Sequence, residues 1–267
     1  METYAATVLG RRVLSAHFVR VTLGGLDGFV STGVPDEYVQ IFIAVAGAEA
    51  AGRIYSVSDH RAGEIDVDVA LHDDSVGSSW AMTCRPGDPV GVTAPHGMYA
   101  APSGVAQQLL VADITGLPAA ARILRELTAG QRAQVVIVLT DRDDEIALPS
   151  GGTVEVTWQV VDRPTEISGA LTTAVTSRQL ADQYVWLAGE ASASRAVRRH
   201  LRRELGWPQS AFCTCGYWQV DAAAKSRRYA EVADTVTEQA AAAREEYVDD
   251  EGAYLDALDD IFEDLGL

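Results

Sequence analysis

Cysteine is scarce. The 267 residues contain only Cys84, Cys213 and Cys215, too few and too unevenly placed for a disulfide framework. They are read as reduced thiols, and the Cys-x-Cys pair has no second pair to complete a zinc site. The five histidines, at 17, 60, 72, 96 and 200, show no metal-ligand spacing, so no protein-bound metal is expected. Positive charge is short as well: 21 Lys and Arg stand against 38 Asp and Glu, a net charge of −17. Nucleic-acid binding driven by counterion release needs a cationic face and is excluded. No apolar run approaches the roughly 18 residues of a membrane-crossing helix. The opening METYAATVLGRRV lacks the apolar core and cleavage site of a secretory signal, so a cytoplasmic protein is expected. Also missing are G-x-G-x-x-G after a strand, a P-loop, H-E-x-x-H and G-x-S-x-G.

What is present is an ordinary globular composition, 48% hydrophobic and 22% charged, in a chain long enough for two domains of about 130 residues. The first hundred residues read as short strands. In EIDVDVAL, Ile65, Val67, Val69 and Leu71 fall on one side and Glu64, Asp66 and Asp68 on the other, the period of a half-buried strand. FVRVTL at 18–23 and YVQIFIAV at 38–45 behave alike. Turn-rich RPGDPVGV and APHG separate such segments, which predicts an antiparallel barrel or sandwich.

From Gln107 the period changes. LLVAD precedes LPAAARILREL, whose Leu117, Ala121, Leu124 and Leu127 share a helical face. Strand candidates AQVVIVLT, TVEVTWQVV, YVWLAGE and FCTCGYW then alternate with helix candidates SGALTTAV and SASRAVRRHLRREL, the order of a parallel sheet with helices on its faces. The expected units are 1–102, a β-barrel domain; 106–220, an α/β domain; and 221–267, a helical extension, with Pro102-Ser103-Gly104 as the linker. From Tyr229 onward thirteen acidic side chains stand against Arg244 alone, net −12. Among them Tyr254, Leu258, Ile261, Phe262 and Leu265 follow helical spacing, so the last helix is amphipathic and either folds back on the body or docks a second subunit or partner.

Several residues carry chemistry. In GRIYSVSD, Arg53 and Tyr55 project from one strand face, with Ser56 beside them; a fixed cation next to a planar ring suits a flat anionic cofactor. VGSSWA sets Gly77, Ser78 and Ser79 at a helix start, where free N–H groups attract phosphate. Together with EIDVDVALHD, SSWAMTCRPGD, APHGMY, LLVADITGLPAAARIL and VWLAGEASASRAVRRHLRRELG followed by CGYW, these segments resemble, in order from about residue 5 to 220, the siderophore-interacting proteins of the ferredoxin-reductase-like flavoprotein group.

The resemblance implies a Greek-key barrel that binds FAD, followed by an NAD(P)H-binding-like α/β domain. It sets Tyr55 against the isoalloxazine and Ser56 near flavin N5 as the catalytic pair. Arg53 would meet the pyrophosphate or flavin-side charge, and Ala70, Leu71 and His72 the ring edge or ribityl chain. Gly77, Ser78 and Ser79 would cap the pyrophosphate, and Thr115 would stand where flavin and nicotinamide meet. The implied activity is reduction of ferric siderophores, which weakens the hard oxygen cage around the iron. Electrons would come from NADH, slightly favoured by Asp141, Asp143 and Asp144, from NADPH through Arg142, or from a small acidic ferredoxin. Lys225 and Arg228, three apart, share a face if helical; they either hold the anionic chelate or pair with the acidic tail. Gly189 and Glu190 either line the nicotinamide approach or serve as turn chemistry. This chain departs from the family pattern at Ala94-Pro95-His96-Gly97, with His96 in place of an arginine, and at Asp113-Ile114-Thr115-Gly116, which lacks a carboxylate beside Asp113. The alternatives are a flavin reductase for quinones or other small acceptors, and a non-catalytic binder of ferric siderophores.

Overall fold

The computed structural model describes residues 3–44, 47, 49–72, 75–102 and 104–267. Val45 of the third expected strand, Asp73 of EIDVDVALHD and Ser103 of the expected linker lie outside the described residues. Strands β1 (Thr3–Ser15), β2 (Phe18–Leu26), β3 (Tyr38–Ile43), β4 (Ala51–Arg61) and β5 (Gly63–Ala70) precede helix α1 (Val76–Thr83) and strand β6 (Pro89–Thr93). They close an antiparallel barrel in the order β1-β2-β5-β4-β3-β6. Alternation decides its inside: Val19, Val21 and Leu23 of β2 and Ile65, Val67 and Val69 of β5 fill one core. The outward acids of β5 are not solvated as their polarity suggests. Asp66 and Asp68 are buried, because Arg20 stands directly opposite Asp68 and clamps it with two hydrogen bonds of 2.6 and 2.7 Å. Arg61 and Thr22 hold Asp66.

The sheet that follows is parallel throughout. Its chain order is β7 (Gln107–Asp113), α2 (Leu117–Glu126), β8 (Arg132–Leu139), β9 (Thr153–Val160), α3 (Ile167–Thr176), β10 (Tyr184–Glu190), α4 (Ala191–Arg199) and β11 (Phe212–Trp218). In space the strands run β11-β10-β7-β8-β9. The chain winds outward from β7 to β9, then returns to β7's other side, so β7 and β10 flank the point where strand order reverses. Crevices at the carboxyl ends of such strands are where open α/β sheets bind ligands. Apolar clusters cover both faces, α2 on one side and α3 with α4 on the other.

Helices α5 (Ala222–Glu246) and α6 (Glu251–Asp264) complete the chain. The acidic α6 does fold back. Arg198 pairs with Asp256 and Asp259, Arg199 with Glu263, and Arg203 with Asp260. A basic α4 face and its one-turn continuation thus meet an acidic helix.

Buried polar contacts join barrel and sheet. Arg122 on α2 reaches Glu37 and the carbonyl of Val57, each at 3.1 Å. After β8, Asp144 accepts from Ser15 Oγ at 2.6 Å, the His17 amide at 2.9 Å and His17 Nδ1 at 2.9 Å. Burial pushes the Asp144 carboxyl up, but these three donors outweigh it and hold the group below its usual range. A lowered folded pKa stabilises above the unfolded value of about 3.9 and is lost as pH falls through the folded pKa. Unfolding free energy of the wild type is therefore expected to drop on acidification below about pH 4. Asp144→Asn should flatten that limb in urea titrations; an unchanged acid limb in the variant would contradict the assignment.

Candidate functional site

β4 enters the barrel mouth with Arg53 and Tyr55 on one face, as alternation requires. Tyr55 is half-buried and stacks on Trp80 of α1, ring centroids 6.3 Å apart and planes 28° apart. Its hydroxyl lies where a side chain at Gly77 would begin, so the first turn of α1 carries glycine for contact with the phenol. Burial pushes Tyr55 up to about 12, slightly opposed by nearby Arg53. Arg53 is exposed, and its guanidinium donates only to the Gly52 carbonyl; no carboxylate pairs with it among the described residues.

Ser75, outside the expected set, is the true N-cap of α1. Its Oγ accepts from the Ser78 amide at 3.4 Å, and its carbonyl accepts from the Ser79 amide at 2.9 Å. The amides of Val76 and Gly77 have no protein acceptor among the described residues. A serine three residues ahead of Ser78 was the local signal for this cap. The His72 amide donates to Ser78 Oγ at 2.9 Å and the Leu71 amide to the His17 carbonyl at 2.8 Å. Ala70 is opposite Phe18 in the barrel ladder. A cavity of about 690 Å³ adjoins this turn, lined by Ser75, Val76, Ser79, Trp80 and residues of the neighbouring strands.

The sheet brings its own edge against β4. Ser56 is buried and its Oγ lies 3.5 Å from the hydroxyl of Tyr217, at the end of β11. Burial holds the Tyr217 phenol well above its ordinary range, reinforced by Cys215, so it stays protonated. His96 is bonded by its backbone to Tyr38, and its ring lies 6.0 Å from that of Tyr38, beside the β4 site.

At the reversal point, Asp113 ends β7 in full burial. Desolvation raises its pKa, opposed by the hydrogen bonds it accepts. The Thr115 amide, 2.9 Å, and hydroxyl, 2.6 Å, share one oxygen, and Trp218 Nε1 donates to the other at 2.7 Å. Asp113 thereby orients Thr115, and the carboxylate missing from position 114 leaves this arrangement intact. Gly189 lies directly against the Asp113 carboxylate, and a Cβ at Gly116 would come within 2.5 Å of the Ala188 carbonyl, so both glycines serve the close packing of the end of β7 against β10. Glu190 is engaged locally: it caps α4 through the amides of Ser192 and Ala193 and also accepts from Val220. Turn chemistry is its role.

Asp141 likewise caps its own turn through the Asp143 amide, and Asp144 ties the sheet to the barrel. Lys225 and Arg228 do share a helical face on α5, but Arg228 donates to the Leu265 carbonyl and pairs with Glu231. Lys225 instead lines a concavity of about 290 Å³ with Arg195 and Gln219. Arg195, an unforeseen cation, lies in the middle of a helix already rich in arginine, and no spacing rule singled it out.

Comparison with known proteins bears on the family and the fold. Residues 105–221 match the family model for siderophore-interacting protein, and residues 46–99 match that for the siderophore-interacting FAD-binding domain. The NADPH-dependent ferric-chelate reductase of Escherichia coli (strain K12) is 30% identical over 239 residues, 79% of this chain and 91% of that protein. The chain belongs to the siderophore-interacting protein family. Its enzyme class is that of FAD-containing oxidoreductases. A siderophore utilization protein from T. fusca superposes with a TM-score of 0.72 at 26% identity, covering 82% of this chain and 93% of that one. The ferredoxin reductase of carbazole 1,9a-dioxygenase, 18% identical with a TM-score of 0.64 over 81% of this chain and 70% of its own, shares the fold. Among the described residues no helix is long and apolar enough to cross a membrane.

Proposed function

We propose that this protein reduces ferric siderophores in the cytoplasm, with FAD held by the barrel (1–102), a nicotinamide nucleotide met by the α/β domain (106–220) and the extension (221–267) bracing α4. What supports this reading most is the meeting of Ser56 with Tyr217 beside the strand-order reversal, which joins the flavin strand to the edge where an open sheet takes a nucleotide.

The residues fit FAD. Among the described residues Val76 and Gly77 have amides without a protein acceptor at a helix N-terminus, Ser79 has an exposed hydroxyl, Ser78 a hydroxyl that can still donate, and Arg53 a fork of donors with no carboxylate partner; together these suit a pyrophosphate. Tyr55 offers a ring braced by Trp80, Ser56 a hydroxyl, and residues 70–72 backbone for a polar ring edge. When bound, FAD accepts a hydride from the nicotinamide and releases electrons singly to Fe(III). The chain's part is placement. The 3.5 Å contact with Tyr217 is long, so the Ser56 proton remains available to a better acceptor at the flavin N5 position. Thr115, fixed by Asp113, bounds the nicotinamide side.

A nicotinamide donor is favoured over an acidic ferredoxin, which a chain of net charge −17, most of it on the segment from Tyr229 onward, repels. Asp141 caps its own turn and Asp144 is held by Ser15 and His17, which leaves exposed Asp143 alone of the three acids for a ribose, whereas Arg142, though paired with Glu145, keeps an exposed guanidinium at the end of β8. NADPH is therefore the proposed donor. Arg195 and Lys225 are proposed to hold the rim of the anionic chelate, with Arg228 bracing the tail.

Anaerobic mixing tests this. NADPH should bleach the flavin band near 450 nm faster than NADH, and ferric siderophore should restore it while a ferrous chelator colours. Arg195→Ala with Lys225→Ala should raise KM for an anionic ferric siderophore about tenfold with kcat held. Reoxidation by quinone but not by ferric siderophore would favour the flavin-reductase reading, and a protein without flavin would favour the binder.

A further inference from the structure

Cys213 and Cys215 alternate to the same face of β11, and their sulfurs lie 3.5 Å apart at the seam between sheet and barrel. Met98, from the segment that follows β6, brings its Sδ to 3.6 Å from Cys215 Sγ. A carboxylate oxygen of Asp36 and both thiol sulfurs fall within 4.8 Å of one another. Asp36 is buried and accepts from the amides of Met98 and Tyr99, each at 2.8 Å, and from Trp186 Nε1 at 3.2 Å. It makes no ion pair among the described residues. A buried carboxylate beside two thiols is thus stabilised by neutral donors alone, in a place where a cation would be attracted.

We propose that Cys213, Cys215 and Met98 form a binding site for a soft monovalent cation, Cu(I), beside the buried Asp36 carboxylate. Three sulfurs around a metal at bond lengths of about 2.3 Å stand roughly 4.0 Å apart, close to the 3.5 Å between the two thiols and the 3.6 Å from Cys215 to Met98. Two thiols and a thioether are the donor set that selects Cu(I), while among the described residues the cluster adds neither an imidazole nor a fourth sulfur for zinc. A disulfide is the poorer use of this pair, since residues two apart on an extended strand hold their Cα atoms about 6.6–6.8 Å apart, at the outer limit for such a bridge. Both thiols are buried, but Met98 is 50% exposed, so entry requires only that its side chain swing aside. Binding exchanges one thiol proton, released to solvent, for Cu(I), so the net charge of the buried cluster and all oxidation states are unchanged.

The test is competition between the full chain, flavin-loaded and reduced under nitrogen, and Cu(I) held by bicinchoninate, read from loss of the coloured chelator complex. One Cu(I) per chain is expected to transfer, equally in Cys84→Ser, whose thiol lies in the barrel. Transfer should vanish in the Cys213→Ser, Cys215→Ser double variant and weaken at least about tenfold in Met98→Leu. Failure of the wild type to withdraw Cu(I), or equal withdrawal by the double variant, overturns the proposal. Should the double variant not fold, Met98→Leu decides, and wild-type affinity there overturns it.

Discussion

Arg122→Ala is expected to lower the unfolding free energy by about 3–5 kcal/mol, the cost of stranding a buried charge. Arg122 is 3% exposed and Glu37 fully buried, and their contact at 3.1 Å links α2 of the sheet domain to the barrel segment preceding β3. Burial pushes the Glu37 carboxyl up, but Thr32, Ser31 and Arg122 together hold it below its usual range. The alanine variant also loses the donor to the Val57 carbonyl. Urea unfolding measures the effect. Replacing both partners with apolar residues of similar size, Arg122→Met with Glu37→Met, should recover much of the loss, because it is an unpaired charge rather than an absent pair that is costly. A loss below about 1 kcal/mol in the single variant would mean that the junction is solvated and the pair a surface one.

Gly77→Val is expected to give a folded protein that no longer retains flavin. A branched side chain there displaces the Tyr55 hydroxyl, forces the phenol off Trp80 and crowds the open amides of Val76 and Gly77. Ring support and phosphate support then fail together, so affinity should fall well over tenfold, more than about 1.4 kcal/mol. The readouts are absorbance near 450 nm in purified protein and a flavin titration, with far-ultraviolet circular dichroism to show that the barrel persists. Tyr55→Phe removes the atom that meets position 77. It should partly rescue Gly77→Ala, which makes the coupling measurable in a double-mutant cycle. Flavin retention by Gly77→Val at the wild-type level would move the cofactor away from α1.

The linear order of strands and helices was legible, and each segment that carried it did so locally. The alternation in EIDVDVAL, the switch to helical spacing after LLVAD and the turn residues between them all act within a few residues. Two readings drawn from residue type alone fared differently. Glu190 left two readings open, a nicotinamide contact or turn chemistry, and in the structure its carboxylate is engaged as the N-cap of α4. Asp141, with Asp143 and Asp144 beside it, favoured an NADH ribose, but Asp141 caps a turn and Asp144 reaches Ser15 and His17, 127 to 129 residues away. Nothing near Asp144 in the chain announces that partner.

What the sequence determined unaided was therefore a closed sheet of alternating strands, a parallel sheet after it, and the segments on which Tyr55, Ser56, Gly77 and Thr115 stand. Only the tertiary structure decided how charge is disposed: Asp66 and Asp68 buried under Arg20 and Arg61, Arg195 beside Lys225, Tyr217 on Ser56, and Asp36 and Met98 on the paired cysteines. The physical reason is that side-chain direction follows from backbone periodicity a few residues long. Burial and pairing depend on which distant elements become neighbours, and that is settled only when the barrel closes and docks on the sheet.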